Sequence, residues 1–429
     1  MLRRLVESGG SGVCVRRLGG TRAGEIRLTR FLRNPAVGVE DMVREAASPL
    51  TARCTGRRVL AIQDTTVVRC DEKGSGLFLH AVIAVDADDG AILGLADACF
   101  VTRQAGQNQV AAAARRKVTP FEDKQSARWL AGACAVANAG GAAASITVIA
   151  DRESDIFEVF QQRPANADLL VRAKHDRTLG DGGGRMFARI DARAEDGRSS
   201  LELQARPGQR ARTALMAIRF MEIDPVRPGG GGAATIRPSG VCLTFVDVRE
   251  VDPPSGVTPL HWRLLTTLPV GSAGQAFEVV DLYRRRWAIE QVFRTLKTDG
   301  FDIEGLVIAD ERPLKNLVMA SLIAAVVVQQ LVHARDGASS KTQRRPLSDA
   351  FDPEDGPLLH AYVTHLQGKT ARQKNPHPKG SLAYAAWVCA RLGGWTGYYG
   401  KPGPIVMLRG WLTFQAAKQS ASLIANQNV

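Results

Sequence analysis

Two apolar runs in this chain stop abruptly at an aspartate. One is Val59-Leu60-Ala61-Ile62-Gln63-Asp64, followed by Thr65 and Thr66; the other is Ile146-Thr147-Val148-Ile149-Ala150-Asp151. Both are short, rich in β-branched residues and uncharged until the acid. Such runs predict strands buried on both faces, as in sheets covered by helices on each side. An α/β architecture follows. Open α/β sheets bind ligands beyond the carboxyl ends of their strands, which is where these acids are expected.

A third acid belongs to a different element. In Tyr283-Arg284-Arg285-Arg286-Trp287-Ala288-Ile289-Glu290-Gln291-Val292-Phe293-Arg294-Thr295-Leu296-Lys297, four residues are spaced three, four and seven apart: Tyr283, Arg286, Glu290 and Lys297. At about 100° per helical residue they fall within a stripe of roughly 60°. One helix face is thus predicted to carry a carboxylate between two cations and a phenol. Taken alone, this segment fits a salt-bridged solvent face equally well. Together with Asp64 and Asp151, Glu290 could hold a pair of Mg²⁺ ions, hard cations that take carboxylate and phosphate oxygens. Two such ions can activate a water or a 3′-hydroxyl and stabilise the leaving oxygen of a phosphodiester.

With these three segments in view, the sequence resembles the DDE transposases of the IS4 family, in the branch that includes the Tn5 transposase. Gln63-Asp64-Thr65-Thr66 is similar to the first-Asp motif, and Asp151-Arg152-Glu153-Ser154-Asp155 to the second. Tyr283, Arg286, Glu290 and Lys297 match the Tyr-x₂-Arg-x₃-Glu-x₆-Lys signature at every spacing. The likeness runs from about residue 24 to 415 and includes Arg33-Asn34-Pro35, Val171-Arg172-Ala173-Lys174-His175 and His261-Trp262-Arg263-Leu264-Leu265-Thr266-Thr267. It implies an RNase H-like (retroviral integrase-like) catalytic core. The ligand set would be Asp64, Asp151 and Glu290, binding two Mg²⁺ ions with Mn²⁺ as a substitute.

Composition is compatible with that expectation. Fifty-six Lys and Arg against 43 Asp and Glu leave a net charge of +13 over 429 residues, a bias suited to a polyanion partner. Seven scattered cysteines without a CxxC pair suggest neither a zinc site nor a disulfide framework. The N-terminus has no signal-peptide apolar core. The longest apolar stretch, 317–328, is predicted to be a core helix too short to span a bilayer. The expected setting is the bacterial cytoplasm, at the nucleoid and away from any membrane.

Along the chain, residues 1–23 are Gly- and Arg-rich and predicted to be poorly folded. Residues 24–52 are predicted helical, with Asn34-Pro35 as a break and a helix from Val39 to Ala47. Region 1–52 is shorter than the family's DNA-binding N-terminal domain and is expected to be a truncated remnant of it. Region 53–335 is the expected catalytic domain. The run from Leu77 to Asp86 and that from Ala91 to Ala96 should form a hairpin about Asp88-Asp89-Gly90. A helix over 126–139 precedes the second-Asp strand. Short β-like runs at about 200–205, 213–220, 240–249 and 260–268, with a glycine tip at 229–232, form an expected β-rich insertion over about 178–274. An insert is needed because a bare loop between Asp151 and Glu290 would be improbably long. Region 336–429 is expected to be helical, and the resemblance assigns it dimer contacts.

Roles are expected as follows. Arg286 and Lys297 hold phosphates near the metals as charge-assisted donors, and Tyr283 adds its hydroxyl. Arg172 and Lys174 are further candidates for phosphate contact. Among the acids after the second strand, Asp151 is assigned to metal and Glu153 or Asp155 to helix capping. Trp262 is either core or, as the resemblance implies, a platform for a flipped base during hairpin formation. The expected activity is cut-and-paste transposition: end cleavage, then joining to target DNA by a homodimer on DNA. The alternatives are a defective copy that poisons an intact relative by dimerising, and an RNase H-like nuclease without strand transfer.

Overall fold

The computed structural model describes residues 21–72, 75–103, 119–182, 184–203, 210–227, 240–297, 300–338 and 344–427. The start of the chain and the glycine tip lie outside the described residues. Among the described residues, nine strands form one sheet: β1 (Arg58–Cys70), β2 (Gly76–Asp86), β3 (Ile92–Arg103), β4 (Ser145–Ala150), β5 (Asp168–Arg172), β6 (Gly197–Leu203), β7 (Arg212–Ile223), β8 (Leu243–Val251) and β9 (His261–Thr266). Their order is β3-β2-β1-β4-β5-β9-β8-β7-β6. The first three are an antiparallel meander. Gly90, at φ 76° in the turn after β2, takes a left-handed conformation that glycine adopts without strain.

Strands β4 and β5 run parallel to β1. Strand β9 then pairs antiparallel with β5, followed by β8, β7 and β6. The β-like runs of the expected insertion therefore extend the same sheet rather than build a separate layer. Thr266 of β9 pairs with Leu170 of β5 across the join.

Helices cover both faces, so β1, β4 and β5 alternate between two cores. Ile62, Ile149 and Leu170 face one cluster, with Val280, Ile289 and Val292; Ala61, Val148 and Leu169 face the other, with Trp129, Ala133 and Val136. Because side chains alternate, a one-residue slip of β4 would exchange its two faces, and with them the direction of Asp151. The second face is covered by α4 (Arg128–Ala139), α5 (Phe157–Gln161) and α6 (Met186–Asp191), with α3 (Leu50–Cys54) at the β3 side. The first face carries α1 (Arg22–Arg33), α2 (Val39–Ala47), α7 (Ala273–Arg284), α8 (Trp287–Leu296) and α9 (Glu311–Ala334), and then α10 (Gly356–Leu366), α11 (Leu382–Leu392) and α12 (Pro404–Gln427). That cluster is continuous from Leu28 to Phe414.

Helix α9 is longer than the apolar stretch predicted. At 24 residues it meets the length and hydropathy of a membrane span. It nevertheless packs against β3, α1, α2, α8, α11 and α12. Its buried amides tie those layers together. Asn316 donates to the Leu32 and Val37 carbonyls, Gln330 to the Leu93 carbonyl, and Gln329 to Thr295 Oγ1 at 2.7 Å. Buried amides need such partners, and here neighbouring protein supplies them.

Candidate active site

The last parallel pair between β1 and β4 is Ile62 with Ile149, and Ile149 also pairs with Leu170 of β5. Side chains recur on one face every second residue. Two positions beyond this row, Asp64, Asp151 and Arg172 therefore stand side by side on the face that carries α7 and α8. Asp64 is not at a strand end as predicted. Strand β1 continues to Cys70, paired with β2 alone, and Asp64 lies opposite Ala81. The parallel ladder ends there; the strand does not.

The helix expected over Tyr283 to Lys297 is two helices. Arg285 and Arg286 form a turn between α7 and α8, tightened by three-residue hydrogen bonds: Arg286 N–H to the Tyr283 carbonyl at 3.0 Å, and Ile289 N–H to the Arg286 carbonyl at 3.3 Å. Tyr283 is buried, and Glu290 is half-buried on α8. Arg286 reaches back from the turn to both carboxylates. Its Nη1 donates to Asp64 Oδ2 at 2.8 Å and its Nη2 to Glu290 Oε1 at 2.5 Å. The Arg286–Glu290 ion pair thus has Asp64 as its third member.

Electrostatics place Asp151 in the same group. Burial pushes the Asp64 carboxyl up to about 6, and Asp151 and Glu290 push the same way against Arg286 and the Thr65 N–H. Burial raises the Tyr283 phenol too, with Arg286, Arg172 and Asp151 all acting on it. Arg286 remains cationic: burial disfavours its charge, but Tyr283, Asp64 and Glu290 together raise it above its ordinary value. Asp64, Asp151, Glu290, Arg286, Tyr283 and Arg172 are therefore brought together.

Other expected members lie elsewhere. Lys297 is past the end of α8, and its Nζ meets Glu304 Oε1 at 2.7 Å rather than Glu290. Lys174 is exposed in the loop after β5. Trp262 is half-buried near the start of β9, paired with Val248 and packed against the first-face core. It lies on the sheet face of Arg172, one side-chain repeat farther along, or roughly 7 Å by strand rise.

The acids after β4 divide differently from the expectation. Asp151 itself caps the short turn Arg152–Ser154, its Oδ1 accepting the Glu153 N–H at 2.8 Å. Its other oxygen is not committed to that cap. Glu153 instead pairs with Arg103 and Arg128. Asp155 is buried and accepts the Lys174 and His175 N–H groups at 2.6 and 2.8 Å and Arg177 Nη2 at 2.5 Å. It pins the loop that carries Lys174.

Beneath Asp64, on the opposite face, lies a polar group the sequence reading missed. Thr65 Oγ1 is 3.0 Å from His80 Nδ1, His80 Nε2 is 3.3 Å from Gln63 Oε1, and Gln63 Nε2 donates to the Trp129 carbonyl at 3.1 Å. One signal was available. His80 is the lone polar side chain inside the apolar run from Leu77 to Val85.

Among the described residues, no group of three or more His, Cys, Asp or Glu side chains is already drawn together as a metal cluster. The Arg286 guanidinium holds one oxygen of Asp64 and one of Glu290. The donor chemistry still fits divalent cations: hard carboxylate oxygens, partly open to solvent, with Asp64 raised by burial first and by the neighbouring Asp151 and Glu290 next.

The chain is an α/β protein with a mixed sheet, two acids beyond its central parallel ladder and a third acid facing them from a helix, an architecture consistent with the RNase H-like fold. Residues 55–327, more than half of the chain, match the family described as the transposase DDE domain. The chain belongs to the DDE transposases. Its substrate is accordingly DNA, and the family works with divalent metal ions.

Proposed function

We propose that this chain is the transposase of a bacterial insertion sequence of the IS4 family, of the Tn5-like branch, acting by cut-and-paste. The observation that carries the reading is the joining of Asp64 and Glu290 through Arg286, with Asp151 in electrostatic reach. Two Mg²⁺ ions, or Mn²⁺ in their place, supply activation of the attacking oxygen and stabilisation of the leaving oxygen when bound.

Asp64 on β1, Asp151 just past the end of the neighbouring β4, and Glu290 on the facing helix are the proposed ligands. Arg286 turns from the carboxylates to the scissile phosphate, and the Tyr283 hydroxyl steadies the same group. Arg172, in the row with the two aspartates, contacts the next phosphate. Lys174 and Lys297 bind the strand farther out, and Trp262 stacks on an unpaired base at the cleaved end. Region 1–52 contributes to DNA binding, 53–335 is the catalytic domain, and 336–429 makes dimer contacts. Two copies are needed on DNA because two transposon ends must be cut and each chain supplies one site.

The test uses purified protein, Mg²⁺ and DNA carrying the transposon end. The intact chain nicks that end and joins pre-cut ends to target DNA. Glu290→Ala loses both reactions while still shifting DNA in a gel. Cleavage retained in Glu290→Ala rejects the site, and cleavage without joined product reduces the activity to that of a nuclease.

A further inference from the structure

The chain from Thr65 through His80 and Gln63 to the Trp129 carbonyl crosses an otherwise apolar layer. Gln63 and His80 are both fully buried, and the His80 ring lies edge-on to Trp129 at 4.7 Å between centroids. Room for it is provided from α4: a Cβ on Gly132 would come within 2.7 Å of Gln63 Oε1 and 2.8 Å of Val82.

The directions of the hydrogen bonds follow from one another. Gln63 Nε2 is the donor to Trp129, so Gln63 Oε1 accepts from His80 Nε2–H. His80 Nδ1 is then unprotonated and accepts the Thr65 hydroxyl proton. The ring must be neutral to do this. Burial, with Arg128 as a lesser cause, pushes its value down to about 3.

Burying these groups is costly unless each is paired, and an apolar filling would suit the layer as well. Fully paired, they fix one arrangement of the Thr65 side chain. Thr65 is adjacent to Asp64, and its backbone N–H holds Asp64 Oδ1 at 2.8 Å. We infer that His80 is a positioning residue: through Thr65 it fixes the carboxylate of Asp64 in the orientation that binds the divalent ion. The inference rests on the proposed metal role of Asp64.

The test is Mn²⁺ binding to the full chain by titration calorimetry, with circular dichroism to verify folding. Outer-layer partners of metal ligands typically govern about 10–100-fold in metal affinity. Thr65→Val and His80→Leu should each weaken Mn²⁺ binding by about that much, and the double variant no further than the weaker single. His80→Gln, which keeps an acceptor and a donor, should restore binding to within about threefold. Where His80→Leu does not fold, Thr65→Val decides, since it is close to isosteric and only half-buried. A lower melting temperature with unchanged Mn²⁺ affinity in Thr65→Val overturns the inference and leaves a packing role. Asp64→Asn separates the two levels. If it loses Mn²⁺ while Thr65→Val does not, the inference alone falls; if it binds Mn²⁺ as the parent does, the metal role of Asp64 falls and the inference with it.

Discussion

Arg286 holds Asp64 at 2.8 Å across 222 residues of sequence. The same guanidinium holds Glu290, so one cation already lies on oxygens a divalent ion would require. Arginine and metal therefore compete. Arg286→Met should bind Mn²⁺ more tightly by about fivefold, since a partly screened ion pair is worth up to about 1 kcal/mol. DNA cleavage by this variant should nevertheless fall, because the phosphate loses a donor. Weaker Mn²⁺ binding in calorimetry would show that Arg286 supports the metal instead of opposing it.

The raised value of Asp64 makes a stability prediction. Its carboxyl, pushed up to about 6 by burial first and by Asp151 and Glu290 next, binds more protons in the folded chain than in the unfolded one. Metal-free protein should therefore lose stability as pH rises from about 4 to about 6, by roughly 3 kcal/mol from this group. Asp64→Asn stays neutral throughout. Its melting temperature should exceed the parent's above about pH 7 and equal it near pH 4. Scanning calorimetry at the two pH values checks this; an Asn variant that melts lower at both contradicts the burial argument.

Asp155 offers a contrast with Asp151, four residues away. It is buried and bonded to two backbone N–H groups and to Arg177. Removing one partner of such a pair leaves an uncompensated buried charge. Asp155→Ala should cost about 3–5 kcal/mol. Asp151→Ala, half-exposed and with one capping bond to lose, should cost about 1 kcal/mol while abolishing cleavage. Urea titrations of both variants decide: a larger loss for Asp151→Ala than for Asp155→Ala would mean that the two acids have been assigned the wrong way round, and equal losses would remove the contrast between them.

These two acids also show what was legible in the sequence. Burial on both faces leaves a mark in composition, so the apolar runs before Asp64 and Asp151 disclosed β1 and β4. Which acid caps a turn is set by backbone direction after the strand, and nothing in Asp151-Arg152-Glu153-Ser154-Asp155 encodes it. The spacing of Tyr283, Arg286, Glu290 and Lys297 was visible, but not the tight turn at Arg285 and Arg286 that divides the helix. Every residue there is compatible with a continuous one, and the break arises from tertiary packing. Likewise β9 pairs with β5 through residues 92 to 96 positions apart, a partnership that alternation along either strand does not specify.

Lys297 gives the last prediction. Its spacing from Glu290 placed it in the site, whereas its ammonium is bound to Glu304. A lysine paired this way is available to DNA only after leaving its partner. Glu304→Gln should therefore tighten binding to DNA, and Lys297→Ala should weaken it and reduce the slope of log affinity against log salt by about one. Neither change should alter Mn²⁺ affinity, because Lys297 touches none of the three carboxylates. Fluorescence anisotropy over a salt series reads the first effect and calorimetry the second. A Lys297→Ala variant with an unchanged salt slope would remove this residue from the DNA path, leaving Arg286 and Arg172 as the phosphate contacts at the row of acids.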